Sequence, residues 1–206
     1  MALTDALAIA VAELEDEQVM SLVKERLGAG TPALEIVGRL QEGMTEVGRL
    51  FEAEEYFLSE LVMAGEIMKD AMDELEPHLK GANQEFKGNI VIGTVRGDVH
   101  DLGKNIVVML LKGAGYNVID LGVDVPSDKF IDAIKDSKAP LVAMSVLLTG
   151  CQDAMKDIIA DIRKEGLDVK ILIGGNYVDE IVKENVGADF FGTSASDAVK
   201  YADQIF

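Results

Sequence analysis

A single cysteine, Cys151, stands among 206 residues, so no intramolecular disulfide can form and the chain suits a reducing, cytoplasmic compartment. Histidine is nearly as scarce, with two in all. A zinc site wants three or four protein ligands, which this chain cannot easily assemble. Positive charge is short as well: 19 Lys and Arg oppose 37 Asp and Glu, a formal net charge of −18. That balance disfavours nucleic acid and anionic membrane as partners. It leaves two readings, plain solubility or an acidic face that docks on basic partner enzymes. The longest apolar runs, such as 141–148, are far too short to cross a bilayer. No basic residue precedes Lys24, so the start does not read as a secretory signal. Tryptophan, internal repeats and low-complexity segments are all missing.

What remains is an ordinary globular composition, 49% apolar and rich in glycine, long enough for one large domain or two small ones, each with a core. The chain has two grammars. Residues 1–80 lack strand signals and carry apolar residues at three- and four-residue spacing. One stripe is Val19, Leu22, Val23 and Leu27, ending at Gly28 and Gly30. Thr31-Pro32 then reads as an N-cap followed by proline at the first helical position, leading into Leu34, Val37, Leu40, Met44 and Val47. A last helix carries Leu58, Leu61, Val62, Ile67, Met68 and Met72 and closes near Pro77. This predicts a small helical bundle, with spare methionines that suit a compliant apolar surface.

Residues 81–87 read as a polar linker, and from 88 to 206 strands alternate with helices. Strands are expected at Asn89–Val95, Tyr116–Leu121, Leu141–Leu147, Val169–Ile173 and Asp189–Phe191. Helices are expected from Gly103, from Ser127 as N-cap, through Ile158, Ile159 and Ile162, from Tyr177, and finally to Ile205. Such alternation is the pattern of an α/β domain, a doubly wound parallel sheet covered on both faces. Ligands of these folds bind in the loops that follow the strands. Four loops stand out there: Gly97–Gly103, Ser145–Cys151, Gly174–Asn176 and Gly192–Ser194.

The first loop is the informative one. Asp98 and His100 are two apart, so in an extended loop both side chains project to one side. A carboxylate bonded to one imidazole nitrogen fixes the tautomer and frees the other nitrogen for a metal. Gly97 and Gly103 flank the pair and permit tight curvature or close approach of a ligand. A lone loop histidine more commonly caps a helix or bonds a neighbour. His78, after Pro77, reads as simply solvated. No G-x-G-x-x-G or G-x-x-x-x-G-K-[ST] nucleotide fingerprint is present. One histidine suffices as a protein ligand when a macrocycle supplies four donors, which points to a corrin or a haem.

Gly97-Asp98-Val99-His100-Asp101-Leu102-Gly103 resembles the D-x-H-x-x-G signature of corrinoid-binding domains. The family's companion motifs follow in order, S-x-L at Ser145-Val146-Leu147 and G-G at Gly174-Gly175. The N-terminal half is similar to the helical cap of methyl-carrying corrinoid proteins and methionine synthase. The resemblance therefore spans nearly the whole chain, and is greatest to the small corrinoid proteins of methyltransferase systems. It implies a helical bundle cap (1–80), a linker (81–87) and a Rossmann-like, flavodoxin-like domain (88–206) that binds cobalamin or a related cobamide. His100 would be the lower ligand to cobalt and Asp98 its hydrogen-bond partner. Gly97, Val99, Asp101, Leu102 and Gly103 would belong to the same cofactor-binding loop. Gly103, Ser145, Leu147, Gly174 and Gly175 would line the path of the nucleotide tail. Gly192 and Thr193 lie in the last of the four loops, and Thr149 and Thr193 sit where hydrogen bonds to the cofactor are expected. Phe51 and Leu58 would cover the methyl-bearing face, although seven-residue spacing equally suits a bundle core.

The implied function is a methyl carrier. It would accept a methyl group on Co(I) from a substrate-specific methyltransferase, pass it to a second, methyl-accepting methyltransferase, and be served by a reductive activase. It would be a component of a multi-protein system rather than an independent catalyst. Two other corrinoid classes share the motifs. A corrinoid-dependent sensor needs an output element, and Lys24, Arg26, Arg39 and Arg49 amid many carboxylates make a poor nucleic-acid surface. A mutase subunit needs a substrate barrel. One departure from methionine synthase is Cys151, which stands where a relay serine would be. It is either a structural substitute, being a weak donor, or a reactive thiol activated by a helix N-terminus.

Overall fold

The computed structural model describes residues 3–79 and 86–206. The chain divides into two compact units, one of helices and one built on a sheet. Most of the expected linker, and the end of the first segment at residue 80, lie outside the described residues.

Among the described residues the helical unit holds four helices, α1 (Ala6–Ala12), α2 (Asp16–Gly28), α3 (Ala33–Glu52) and α4 (Leu58–Leu79). Three lie where stripes are expected, but the buried faces coincide with those stripes only in part: Leu34 and Val62 are exposed, whereas Ile36, Ala64, Ala71 and Leu75, outside the expected sets, are buried. Val19 and Val23 of α2, Ile36, Leu40 and Val47 of α3, and Leu61, Ala64, Ala71 and Leu75 of α4 are all buried. Each fully buried Val, Leu or Ile of this kind contributes about 1.5–3 kcal/mol. Helix α1 carries no stripe, because Leu7, Ala8, Ala10, Val11 and Ala12 are all buried, and a helix that is apolar all round lacks periodic contrast. It starts where the Asp5 carboxylate accepts the backbone N–H of Leu7 and Ala8, and the same carboxylate binds Arg26 of α2 at 2.9 and 3.0 Å. Gly43 lets α3 close on α1: a Cβ there would stand 2.6 Å from the Ala8 carbonyl oxygen. The N-cap of α3 is Pro32, one residue later than the sequence suggests, and it makes no side-chain cap bond.

In the second unit five strands, β1 (Asn89–Thr94), β2 (Asn117–Asp120), β3 (Leu141–Ser145), β4 (Lys170–Gly174) and β5 (Phe190–Gly192), pair in the order β2-β1-β3-β4-β5, every pair parallel. Helices α5 (Leu102–Gly113), α6 (Ser127–Ser137), α7 (Gln152–Lys164), α8 (Glu180–Val186) and α9 (Asp197–Ile205) connect or follow them, with a short 3-10 turn at Thr149–Cys151. Val91, Val142, Ile171 and Ile173 pack with Phe130, Ile134, Met155, Ile158 and Ile162 of α6 and α7. The alternating Ile90, Ile92, Leu141 and Leu172 are also buried and, by the pleat, face the other side. Both faces are therefore apolar, and the strands read as nearly continuous hydrophobic runs.

Three local expectations shift. Ser127 begins α6 rather than capping it; the cap position is Pro126 and has no side-chain bond. Tyr177 lies in the loop before α8, whose cap is Asp179, accepting the N–H of Val182. Strands β2 to β5 stop or start one or two residues from the expected ends, the usual error where strand grades into loop. At the amino edge of the sheet, Tyr116 lies tilted against Phe206, 5.2 Å between ring centroids, and donates its hydroxyl to Asp203. Lys87 pairs with the same Asp203 at 3.2 Å. Gly88 lies beneath the Phe206 ring, where a Cβ would come within 1.8 Å of Cε1.

Candidate functional site

All five strands point the same way, so the loops after β1, β3, β4 and β5 share one edge of the sheet, and the four loops singled out from sequence meet there. The chain leaves β1 at Thr94 and turns at Gly97, whose φ of +87° favours glycine. Asp98 follows, completely buried, and His100 next but one, with 49% of its side chain exposed. Leu102 and Gly103 open α5.

The carboxylate of Asp98 is saturated with donors. Oδ1 accepts the His100 backbone N–H at 3.0 Å and lies 2.6 Å from His100 Nδ1. Oδ2 accepts the backbone N–H groups of Leu147 and Leu148 at 2.6 and 3.0 Å. Burial pushes this carboxyl up, but the three backbone N–H groups and the imidazole outweigh it and hold the group well below the usual carboxylate range. An ionised acceptor at Nδ1 favours the tautomer with the proton there, which leaves the Nε2 lone pair uncommitted. The S-x-L motif thus acts through its backbone, since the loop after Ser145 supplies the two N–H groups that anchor Asp98.

Around the imidazole lies an exposed apolar rim. Val99 is 66% exposed, Leu102 59%, Leu147 42% and Leu148 43%. Large apolar side chains grouped at a functional edge mark a ligand surface. The glycines behave in two ways. At Gly103 and Gly150 an added Cβ would meet nothing within 4 Å, and at Gly174 only the Gly192 carbonyl oxygen at 4.0 Å. These positions border open space. At Gly175 a Cβ would fall 1.8 Å from the Val146 carbonyl oxygen, so no other residue fits. Thr193 is committed locally: its N–H and hydroxyl both donate to Asp197, at 2.9 and 3.2 Å. Thr149 is exposed in the 3-10 turn, and Asp101 is exposed and accepts from Asn105 at 3.1 Å. Phe51 and Leu58 belong to the helical unit, at the end of α3 and the start of α4, both half-buried.

Cys151 lies buried at the start of α7, its Sγ 3.3 Å from where a Cβ on Gly97 would be. Burial pushes its thiol up, and the charges of Asp98 and Asp124 push it further. The activating effect expected of a helix N-terminus is overridden, and the thiol stays protonated.

The site also contains residues the sequence does not announce. Thr94, buried, donates its hydroxyl to the His100 carbonyl at 3.1 Å. Lys104 is buried on α5 and its Nζ pairs with Asp120 at 2.6 Å and Asn105 at 2.7 Å. Asp124 accepts the Gly97 N–H at 2.7 Å. Tyr177 donates its hydroxyl to the Leu148 carbonyl. Among the described residues no three His, Cys, Asp or Glu side chains converge as a metal cage, and no helix is long and apolar enough to cross a membrane.

This arrangement fits a macrocycle that brings four in-plane donors of its own. It offers one outward imidazole nitrogen, an apolar rim for a flat face, and glycine-lined space between strand ends for an appended tail. A family model described as B12 binding domain matches residues 88–200, and a second of that description matches residues 3–76. Dimethylamine corrinoid protein 3 of Methanosarcina acetivorans is 37% identical over 201 residues, covering 96% of this chain and 94% of that protein. Trimethylamine corrinoid protein 1 of the same organism is 34% identical over 195 residues, covering 92% and 90%. Among solved structures, a cobalamin-binding protein from Desulfitobacterium hafniense is 38% identical with a TM-score of 0.80, covering 98% of this chain and 97% of that one. The methanol:cobalamin methyltransferase complex MtaBC of Methanosarcina barkeri matches at 31% identity and a TM-score of 0.89, covering 97% of this chain and 77% of that one. The sheet edge and these relatives agree, and the chain belongs to the B12-binding corrinoid proteins, with a corrinoid as its cofactor.

Proposed function

We propose that this protein is a methyl carrier in which His100 Nε2 would hold the corrinoid cobalt. The observation that carries this reading is the half-exposed His100 ring, pinned at Nδ1 by a buried, ionised Asp98 and ringed by Val99, Leu102, Leu147 and Leu148. The bound corrinoid supplies the metal that takes up and gives away a methyl group. The chain supplies the rest. Asp98 keeps His100 in the ligating tautomer, the exposed apolar side chains would shield the cofactor's face from water, and Gly103 and Gly174 would leave room for a nucleotide tail flanked by Ser145, Leu147 and Gly175. Gly192, Thr149 and Thr193 border that path.

The helical unit is assigned the role of cap, with Phe51 and Leu58 as its candidate cofactor-facing residues. The partners are a methyltransferase that loads the carrier from a small methylated substrate, a second that unloads it onto tetrahydrofolate or a thiol, and a reductive activase. The names of the relatives, for dimethylamine and trimethylamine, and the methanol complex indicate the class of methyl donor. A regulatory reading finds less support: Lys24, Arg26, Arg39 and Arg49 are paired with Glu74, Asp5, Glu42 and Glu46 respectively, which leaves them committed to carboxylates rather than to phosphates.

The test is the absorption spectrum of the protein loaded with methylcobalamin, compared with His100→Ala. A histidine-ligated spectrum that the variant converts to a base-off form, or loses, upholds the reading. Wild type that binds no corrinoid, or a spectrum the variant leaves unchanged, refutes it.

A further inference from the structure

The loop that carries His100 is gripped from below by its own Asp98 and from the side by a second loop, the connection from β2 to α6 over residues 121–126. The two run together. Thr94 N–H donates to the Gly122 carbonyl at 2.9 Å and Val125 N–H to the Thr94 carbonyl at 3.0 Å, extending the parallel pairing of Val95 with Val125. Asp124 makes two further bonds. Its backbone N–H donates to the Asp98 carbonyl at 2.9 Å, and its side-chain Oδ1 accepts the Gly97 N–H at 2.7 Å. One residue therefore brackets the Gly97–Asp98 dipeptide at both ends.

To do so Asp124 takes a φ of +54°, in the left-handed region where Gly, Asn and Asp are tolerated best. Glycine suits that conformation better but has no oxygen to offer Gly97. The Asp124 side chain is exposed and contributes no apolar burial, so what it adds is orientation. Asp98 then fixes the imidazole two residues on, through its 2.6 Å contact with Nδ1.

We propose that Asp124 is a positioning residue for the axial ligand: by clamping the Gly97–Asp98 backbone it keeps Asp98 beneath His100 and Nε2 aimed out of the sheet edge. This rests on the reading of His100 as the cobalt ligand. Three full-length variants separate the contributions. Asp124→Gly keeps the backbone conformation and loses the acceptor, Asp124→Asn keeps both, and Asp124→Ser offers an oxygen one atom too short and serves if the glycine variant fails to fold.

Two readouts apply. In the apo protein, long-range proton–nitrogen correlation reports the His100 tautomer and the exchange of its Nδ1 proton. In protein loaded with methylcobalamin, absorption reports the base-off fraction. Loss of a hydrogen bond to a charged acceptor predicts that Asp124→Gly raises the base-off fraction about tenfold and speeds Nδ1 proton exchange, while Asp124→Asn stays within about twofold of wild type. A glycine variant indistinguishable from wild type in both readouts overturns the proposal, as does an asparagine variant as perturbed as the glycine one. Should wild type and His100→Ala give the same loaded spectrum, the axial-ligand reading itself fails, and the apo resonance alone decides what Asp124 does.

Discussion

Replacing Asp98 by asparagine alters almost nothing in shape, yet it should both loosen the sheet unit and turn the imidazole's chemistry around. The carboxylate meets four N–H groups, two on Oδ2 from Leu147 and Leu148 and two on Oδ1 from the His100 backbone and ring. An amide has one acceptor oxygen and an NH2 that only donates, so one pair of donors must lose its partner. The Leu147 and Leu148 N–H groups are fixed by the backbone after β3 and keep the oxygen. The NH2 then faces the ring, which can respond by moving its proton to Nε2 so that Nδ1 accepts. The other ring nitrogen would then carry the proton and have no lone pair to offer a metal. The His100 backbone N–H has no such remedy. One orphaned donor and weakened charge-assisted bonds together cost about 2–4 kcal/mol, and for a unit of this size the thermal midpoint falls by roughly 10 °C. The assay is thermal unfolding of the apo protein, alongside proton–nitrogen correlation spectra that distinguish the two tautomers. A variant that melts within about 2 °C of wild type and keeps the Nδ1–H tautomer would refute the reasoning, because the four-donor saturation would then carry no energy.

Three further outcomes follow from other parts of the unit. Gly175→Ala places a Cβ 1.8 Å from the Val146 carbonyl oxygen, so apo unfolding should show a loss of about 1–3 kcal/mol; Gly103→Ala meets nothing within 4 Å, and should melt like wild type while binding corrinoid more weakly by titration. Asp120→Ala leaves the buried Lys104 ammonium without a counter-charge, held only by Asn105, and should cost about 3 kcal/mol in urea unfolding, more than Lys104→Ala, which leaves the better-solvated Asp120 still accepting the Gly122 N–H; equal losses would contradict this. Burial pushes the Asp189 carboxyl up, but the Ile171 N–H, Arg163 and Lys170 outweigh it and lower it in the folded state. Its stabilising contribution is therefore present above the unfolded carboxylate range and lost as pH falls through and below about 4, so Asp189→Asn should flatten the urea midpoint's decline in that window.

The sheet and its functional edge were legible because parallel strands buried on both faces need unbroken apolar runs, and the loops after them need glycine and polar residues. Gly97, Asp98 and His100 stand out against that background for chemical reasons, whereas Ser145 and Gly175 gain their roles only from the motifs of the family that the chain resembles. What stayed hidden was information that crosses the chain without leaving a periodic trace. Asp124 and Gly97 are 27 residues apart, and a left-handed aspartate in a loop looks like any other aspartate. The donors that hold Asp98 are backbone N–H groups of Leu147 and Leu148, which every sequence possesses. Helix α1 escaped because its apolar residues face all round, and Cys151 stayed between two readings because a helix start suggests an activated thiol, whereas burial and two carboxylates push the thiol up. Helix caps were misplaced by one residue at Pro32 and Pro126, where the prolines took the cap positions themselves.

The clasp of Lys87, Gly88, Tyr116, Asp203 and Phe206 brings the chain's way into the sheet unit and its way out to the same pole, opposite the loops that surround His100. A domain wired like this behaves as a cassette. It can be spliced into a longer polypeptide, or carried on a tether, without any connecting segment crossing the face that does the chemistry. The same economy of wiring keeps both connections of the sheet unit away from the loops that carry Asp98 and His100.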